Sequence, residues 1–219
     1  MKTNAQLVNF AKAQVNAGSR YWYGTYGQIA NYELLKSKSA QYPKYFSDKR
    51  IAYAKANDIP QKKRVFDCVG LIKGFFWMAT PTSPPKYGTN GCKDMNVGGM
   101  KATCKLQGDI KTMPKVLGTL VFINQSHVGI YIGNDKVIEA RGFDYGVVIT
   151  KLQDRPWTSW GQTTLLKYET VVTPEPKPSD EVIEGKFFVE VICAETEIRK
   201  GPSSDYQVVG TLTRGTVVP

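Results

Sequence analysis

Histidine and cysteine, the residues that build most zinc sites, are scarce in this chain of 219 residues. It has one histidine, His127, and four cysteines. Zinc enzymes usually need two or more histidines, and the cysteines other than Cys68 lack the close paired spacing of a structural zinc site. We therefore expect neither a metal nor another cofactor.

Long apolar runs are missing as well. No stretch approaches the ~18 consecutive apolar residues that indicate a membrane-spanning helix, and residues 1–7 contain no apolar core of a signal peptide. We expect a protein that is made in the cytoplasm, carries no signal peptide and does not insert into membranes. Because cysteines in a reducing compartment need not pair, Cys92 and Cys104 are expected to be free thiols, and a disulfide between them stays open as the alternative.

Acidic residues are too few to balance the basic ones. The 29 lysines and arginines exceed the 19 aspartates and glutamates, which gives a net charge of +10. Residues 171–219 hold five basic against eight acidic residues, so residues 1–170 carry a net charge of +13. A domain of this kind attracts polyanions over a long range. Nucleic acid is not expected as the partner, because no compact basic motif or aromatic platform accompanies the lysines.

Cys68 lies at the predicted start of a helix. Apolar residues recur with helical spacing after Asp67, and Pro81 ends the pattern. Asp67 is then the N-cap, and Cys68 is the first helical residue. The free N–H groups at a helix start favour a thiolate, so we expect a lowered pKa for Cys68. A buried structural cysteine is the alternative interpretation.

His127 lies at the start of a predicted β-hairpin. Residues 127–133 are rich in β-branched and aromatic side chains, a Gly-Asn-Asp turn follows, and residues 136–140 form the second strand. Antiparallel pairing around this turn brings Glu139 beside His127. A cysteine at a helix end, a histidine on a strand and a polar neighbour on the next strand form the nucleophile, base and orienting group of papain-like hydrolases.

Three motifs in this order resemble the NlpC family of bacterial cell-wall cysteine peptidases and the related CHAP domains of phage lysins. The first is Tyr21-Trp22-Tyr23-Gly24-Thr25, the second is Asp67-Cys68-Val69-Gly70-Leu71, and the third is Gly118-Thr119-Leu120-Val121-Phe122 leading to the His127 strand. The resemblance covers roughly residues 1–170. Val69, Thr25 and Glu139 depart from it, because the family usually has serine, glycine and histidine at these positions. A carboxylate can hold an imidazole tautomer in place of that histidine.

The resemblance implies a peptidoglycan hydrolase, most simply one that cuts a peptide bond of the stem peptide. Cys68 is the implied nucleophile, His127 the base and Glu139 the orienting group, with Tyr21 and Asp67 at substrate-binding or oxyanion positions. For a wall enzyme without a signal peptide we expect a phage endolysin, made in the host cytoplasm and released through a holin pore. Its partners would be peptidoglycan and the anionic polymers of the wall. An N-acetylmuramoyl-L-alanine amidase with the same chemistry, a lipid acyltransferase relative and a non-catalytic wall-binding protein remain alternatives.

The remaining patterns predict an α+β domain. Helices are expected over residues 6–15 and 96–106, and the strand signals come later in the chain. Residues 26–62 form an insertion with two predicted helices, around 32–38 and 48–57, which either walls a substrate groove or is a solvated cap. The predicted strands are 119–124, 127–133, 136–141, 146–152 and 163–168.

The C-terminal part is expected to be a separate module. Residues 171–185 contain a proline-rich stretch typical of a semi-rigid linker. Residues 186–219, with an Arg-Lys-Gly-Pro-Ser turn that starts at Arg199, resemble part of a bacterial SH3-like wall-binding module. These 34 residues are fewer than the ~40 that usually fold alone. We therefore expect the module to be incomplete or completed by packing on another surface, and the oligomeric state is left open.

Overall fold

The structure, a computed structural model, describes residues 1–169 and, in the tail, the strand segments 189–190, 195–199, 208–213 and 217–218. The chain divides into two compact units, Met1–Val171 and Val172–Pro219. The predicted linker, residues 171–185, lies outside the described residues. In the first unit, helices pack on an antiparallel sheet, which is the α+β class that the sequence predicts.

Polar N-cap residues set the starts of most helices. The Thr3 hydroxyl accepts from the Gln6 N–H in a capping box, and Asn31, Asp67 and Asn96 each accept from a backbone N–H three residues further on. The α-helices in the described part of the chain are α1 (Asn4–Asn16), α2 (Tyr32–Gln41), α3 (Asp48–Tyr53), α4 (Cys68–Trp77) and α5 (Val97–Ala102). The two helices predicted within the insertion are thus confirmed, and α3 continues as a π-helical turn.

Two sheets form in the first unit. The small one contains β1 (Arg20–Tyr21), β2 (Tyr26–Ile29) and β3 (Arg64–Phe66), with β3 in the middle and parallel to β1. The strands of the large sheet are β4 (Cys104–Asp109), β5 (Leu120–Ile123), β6 (His127–Tyr131), β7 (Lys136–Gly142), β8 (Gly146–Lys151) and β9 (Ser159–Thr163). Their order across the large sheet is β4-β9-β5-β6-β7-β8, and every neighbouring pair is antiparallel.

Two sequence predictions fail at one edge of the large sheet. The helix predicted over residues 96–106 ends at Ala102, because the chain then enters β4 and pairs with β9. The strand predicted over 163–168 is instead β9, which ends where that prediction begins. β4 has no apolar alternation of its own, so only pairing with a strand far away in the sequence determines its conformation.

The apolar core lies between the large sheet and helices α1 and α4. Alternate residues of β6 and β7, such as Val128, Ile130 and Ile138, face these helices and are buried against Leu71 and Phe75. The opposite side of the same strands packs against a smaller cluster that contains Tyr131, Val137 and Trp157. β6 is thus covered on both sides, and its first residue, His127, pairs with Ile123 of β5.

Gly70, in the first turn of α4, lets a loop approach the helix closely. A Cβ atom built on Gly70 would lie 1.9 Å from the Thr25 carbonyl oxygen and 2.8 Å from Asp67 Oδ1. No side chain fits there, so the loop of residues 22–25 lies directly on the start of the helix. This packing brings the tyrosine-rich motif next to Cys68.

The tail unit contains two antiparallel strand pairs in its described segments. β10 (Val189–Glu190) pairs with β13 (Val217–Val218), and β11 (Glu195–Arg199) pairs with β12 (Val208–Thr213). Most of the Arg-Lys-Gly-Pro-Ser turn lies outside the described residues, and the SH3-like assignment stays a prediction. Across the described segments, none of the helices has the length and apolar character needed to traverse a bilayer.

Candidate active site

Asp67 ties the start of α4 to the loop that precedes β2. Its Oδ1 accepts from the Gly70 N–H at 2.6 Å, which confirms the predicted N-cap, and its Oδ2 accepts from the Gly24 N–H at 2.9 Å. Burial raises the pKa of this carboxyl, although Lys73 and the two backbone donors act in the opposite direction. Both carboxylate oxygens therefore have a structural task, and the substrate-binding role implied for Asp67 stays a prediction.

Cys68 is the first residue of α4, and its side chain is buried, with the residue only 8% exposed. The backbone N–H groups of Val69, Val128 and Cys68 itself lie near the sulfur, and each acts to lower the pKa of the thiol. Burial and the neighbouring Asp67 carboxylate outweigh them and raise the pKa of the thiol to about 12. The expected lowering of this pKa is therefore wrong, because the helix start that provides the donors is itself buried.

His127 and Glu139 meet across the β6–β7 hairpin. Ile130 pairs with Ile138 and Tyr131 with Val137, which places the turn at residues 133–135, as predicted. The His127 Nε2 and Glu139 Oε2 atoms lie 2.6 Å apart. The Nδ1 atom of His127 is then the ring nitrogen that does not face the carboxylate. His127 directly precedes Val128, whose backbone N–H acts on the pKa of the Cys68 thiol, so the start of β6 lies near Cys68.

Glu139 is fully buried and accepts hydrogen bonds from three side chains. Besides His127, the Thr150 hydroxyl donates to Oε1 at 2.8 Å, and Arg155 donates from Nε to Oε1 at 3.0 Å and from Nη2 to Oε2 at 3.1 Å. Burial alone would raise the pKa of this carboxyl, but the bonds from His127, Thr150 and Arg155 lower it overall. Glu139 is thus held as a carboxylate.

Trp157 covers the imidazole. Its ring stacks on His127 with a centroid distance of 5.7 Å and an interplanar angle of 18°. Gly129 makes room for it, since a Cβ atom there would lie 2.9 Å from the Trp157 ring. Sequence reasoning missed Trp157, Arg155 and Thr150. The only local signal was a glycine two residues after the histidine, inside a strand otherwise made of large residues.

Tyrosine side chains surround the other side of Cys68. Burial and the nearby Cys68 and Asp67 groups raise the pKa of the Tyr21 hydroxyl, which therefore stays protonated and able to donate. The Tyr23 ring stacks on Tyr45 at 3.6 Å with an angle of 3°, and Tyr42 packs against it edge-on at 5.0 Å. Tyr42 and Tyr45 belong to the insertion, so this segment reaches the vicinity of Cys68.

The structure thus brings Tyr21 and Asp67 next to Cys68, and Glu139 next to His127. Val128, the neighbour of His127 in β6, is close enough to Cys68 to act on its pKa. In the segments that the structure describes, no three His, Cys, Asp or Glu side chains converge as ligands for a metal ion. Cys92 and Cys104 are free buried thiols, and the pKa of each is raised by burial to about 11.

Comparison with known proteins points to one kind of domain. The model of the NlpC/P60 family matches residues 56–165, half of the chain, and this range includes Cys68, His127 and Glu139. No curated protein sequence matches the chain. Similar solved structures include the P60 domain of the M. avium subspecies paratuberculosis antigen MAP1204, with 17% identity over 75% of this chain and 98% of that chain and a TM-score of 0.40.

Two further solved structures show a similar level of likeness. NlpC2 from Trichomonas vaginalis is 14% identical over 70% of this chain and 47% of that chain, with a TM-score of 0.36. The peptidoglycan hydrolase RipB from Mycobacterium tuberculosis is 14% identical over 73% of this chain and 84% of that chain, with a TM-score of 0.31.

Proposed function

Since the chain belongs to the NlpC/P60 family, we propose that it is a cysteine hydrolase that cuts a peptide bond in the stem peptide of bacterial peptidoglycan. The observation that carries this proposal is the contact of 2.6 Å between His127 Nε2 and Glu139 Oε2, at the strand end that lies against Cys68. A nucleophile, a base and a group that orients the base form the set that acyl transfer through a cysteine uses.

The reaction begins with Cys68 as a neutral thiol. The sulfur attacks the substrate carbonyl carbon while Nδ1 of His127 takes the thiol proton, because a thiol with a pKa of about 12 does not ionise by itself at neutral pH. The resulting imidazolium gives this proton to the nitrogen of the departing amine, and an acyl-enzyme with a thioester remains. A water molecule then attacks the thioester with His127 as the base, which releases the acid and restores the thiol.

Negative charge develops on the carbonyl oxygen during both steps. The Cys68 N–H at the start of α4 and the Tyr21 hydroxyl are the donors that we assign to this oxygen. The raised pKa of Tyr21 supports this role, since a hydroxyl that stays protonated keeps its hydrogen for donation. Glu139 acts on the other side of the imidazole, where it holds the ring and stabilises the imidazolium.

The charge of the domain supports a cell-wall polymer as the substrate. Residues 1–170 carry the net positive charge of the chain, which favours the anionic polymers associated with peptidoglycan. Within this proposal the protein is a phage endolysin that meets its substrate after release from the host cytoplasm.

A second candidate bond is the amide between muramic acid and L-alanine. The stacked Tyr23 and Tyr45 rings support this bond as a candidate, because Tyr45 is 43% exposed and a flat aromatic face can pack against the sugar ring of muramic acid. The chemistry at Cys68 would be the same for both bonds.

Digestion of purified peptidoglycan, followed by mass spectrometry of the fragments, tests the proposal. New amino ends within the stem identify a peptidase, whereas new ends at L-alanine alone identify the amidase. Cys68→Ala and His127→Ala should each reduce fragment release by at least about a thousand-fold, since each removes a group on which the others depend. Cys104→Ala, which also removes a buried thiol, is the matched control and should retain activity. Fragment release at a near-normal rate by folded Cys68→Ala protein would contradict the proposal.

A further inference from the structure

The Glu139 carboxylate is held from two directions. On one side is His127, and on the other the Arg155 guanidinium forms a two-point contact, with Nε on Oε1 and Nη2 on Oε2. Oε2 therefore accepts from the imidazole and the guanidinium at once. A planar guanidinium bound at both oxygens fixes the plane of a carboxylate, which a single donor cannot do.

One short segment holds both the carboxylate and the imidazole. The Arg155 guanidinium lies over the Trp157 ring at 5.9 Å, and Trp157 stacks on His127. The backbone N–H of Trp157 donates to the backbone carbonyl oxygen of Arg155 at 2.8 Å, which fixes the two residues relative to each other. Residues 155–157 thus contact the edge of the carboxylate and the face of the ring simultaneously.

Arg155 also changes the charge that the imidazole faces. Glu139 is fully buried, so its charge is poorly screened by water, whereas the Arg155 side chain is 19% exposed. A lone buried carboxylate would strongly favour the protonated imidazole. With Arg155 bound, part of the negative charge of Glu139 is offset, so this carboxylate favours the imidazolium less than a lone buried carboxylate would.

We propose that Arg155 is a positioning residue of this site: it fixes the Glu139 carboxylate and, by offsetting part of its charge, keeps His127 available as a neutral base. This assignment rests on the proposed cysteine-hydrolase function. Arg155 touches no reacting atom and acts through Glu139.

The other polar groups around this pair are few in the part of the chain that the structure describes. Thr150 from β8 contributes a neutral hydrogen bond to Glu139, and Cys68 from α4 lies against the Val128 N–H. Arg141, on the same strand as Glu139, packs over the Tyr145 ring at 4.0 Å. On the solvent side, Arg155 lines a cavity of about 350 Å³ together with Lys115 and Asp135, which pair with each other.

The single histidine of the chain makes a direct test possible. The ring C–H resonances of histidine come from one imidazole alone, so NMR can follow the titration of His127 without assigning signals to different histidines. In Arg155→Gln, the negative charge of Glu139 is no longer offset and the imidazolium is favoured. The titration midpoint should therefore move to higher pH. The acid limb of the kcat/KM profile should move by the same amount.

Three variants separate charge from geometry. Arg155→Lys keeps the positive charge but loses the two-point contact with the carboxylate. Its titration midpoint should therefore stay near that of the wild type, while kcat falls. Thr150→Val removes a neutral bond from the same carboxylate and should shift the midpoint less than Arg155→Gln. Arg50→Gln is the matched control, since Arg50 also packs over an aromatic ring, Phe143 at 5.4 Å, and should leave the midpoint unchanged.

The possible failures are distinguishable. A folded Arg155→Gln protein with an unchanged midpoint would overturn the assignment, even if the wild type digests peptidoglycan. If Arg155→Gln does not fold, an Arg155→Lys midpoint that moves well away from the wild-type value would overturn it, because the charge is retained there. A wild type without wall-degrading activity would instead overturn the proposed function and leave the titration result standing.

Discussion

The resting state of Cys68 gives the most demanding prediction. The structure favours a neutral thiol, because the sulfur is buried and lies next to the Asp67 carboxylate. A thiolate paired with an imidazolium is the usual alternative for a cysteine beside a histidine. The two states differ in the pH at which Cys68 reacts with an alkylating reagent, since the thiolate is the reactive form.

The magnitude follows from the pKa of about 12. An ordinary cysteine has a pKa near 8.5, so at neutral pH the thiolate fraction of Cys68 is lower by roughly three orders of magnitude. Asp67→Asn removes the nearby negative charge and should move the reactivity profile to lower pH. Asparagine is as good an N-cap as aspartate, so the bond to the Gly70 N–H can persist. The bond to the Gly24 N–H is lost, which costs about 1–3 kcal/mol of stability.

The assay is iodoacetamide labelling at a series of pH values, with modification of Cys68 measured by mass spectrometry of its peptide. We expect the labelling rate of the wild type to rise about tenfold per pH unit and to reach no plateau below pH ~11. Burial also hinders access, but hindrance scales the rate at every pH and does not move the plateau. The same chain unfolded in urea is the reference, since there the plateau should lie near pH ~9.

A plateau near neutral pH in the folded wild type would refute this reasoning and establish a preformed thiolate. An Asp67→Asn profile that coincides with that of the wild type would show that the carboxylate does not act on the sulfur. Thermal melting of both proteins in the same buffers excludes unfolding as the cause of any difference.

Two further predictions concern the surroundings of Cys68. If the insertion walls the substrate groove, Tyr45→Ala should raise KM for muropeptides more than it lowers kcat. Tyr32→Ala, which removes another exposed tyrosine of the insertion, is the control and should change neither constant. Equal effects of the two variants would favour the solvated cap. Gly70→Ala should lower the melting temperature and abolish activity, because its Cβ would overlap the Thr25 carbonyl. Gly98→Ala in α5 should be tolerated, because its Cβ would meet only the ends of the Gln125 and Asn96 side chains, at 3.2 and 3.5 Å. A stable, active Gly70→Ala protein would contradict the close packing of loop and helix.

The parts of the site that local sequence determines could be predicted. Asp67 caps α4 because a short polar side chain precedes a helical apolar pattern. Glu139 reaches His127 because the Gly-Asn-Asp turn sets the register of a hairpin whose strands alternate, so that two residues with the right spacing must lie on the same face. Both inferences need only residues within about a dozen positions of each other.

The rest depends on contacts that no local pattern encodes. Arg155 and Trp157 follow a 3-10 turn in an irregular segment, and only the folded sheet places them against Glu139 and His127. The predicted direction of the Cys68 pKa shift was wrong for a related reason. Sequence shows the donors at a helix start, but it does not show that the loop of residues 22–25 buries this helix start. Burial penalises the thiolate more than the donors favour it.

The raised pKa of Cys68 and the pairing of Arg155 with Glu139 act on the same proton, the one that passes from the thiol to His127. Burial and Asp67 make Cys68 a weaker acid, and the pairing of Arg155 with Glu139 reduces the tendency of the imidazole to take the proton from it. Both effects keep the proton on sulfur while the site is empty, so the two opposite charges form only as the carbonyl carbon is attacked. At that moment the oxyanion donors and Glu139 stabilise the charges that develop, and an interaction that strengthens only in the transition state raises kcat. A resting thiol also reacts slowly with oxidants and stray electrophiles, because the thiolate is the nucleophilic form of cysteine.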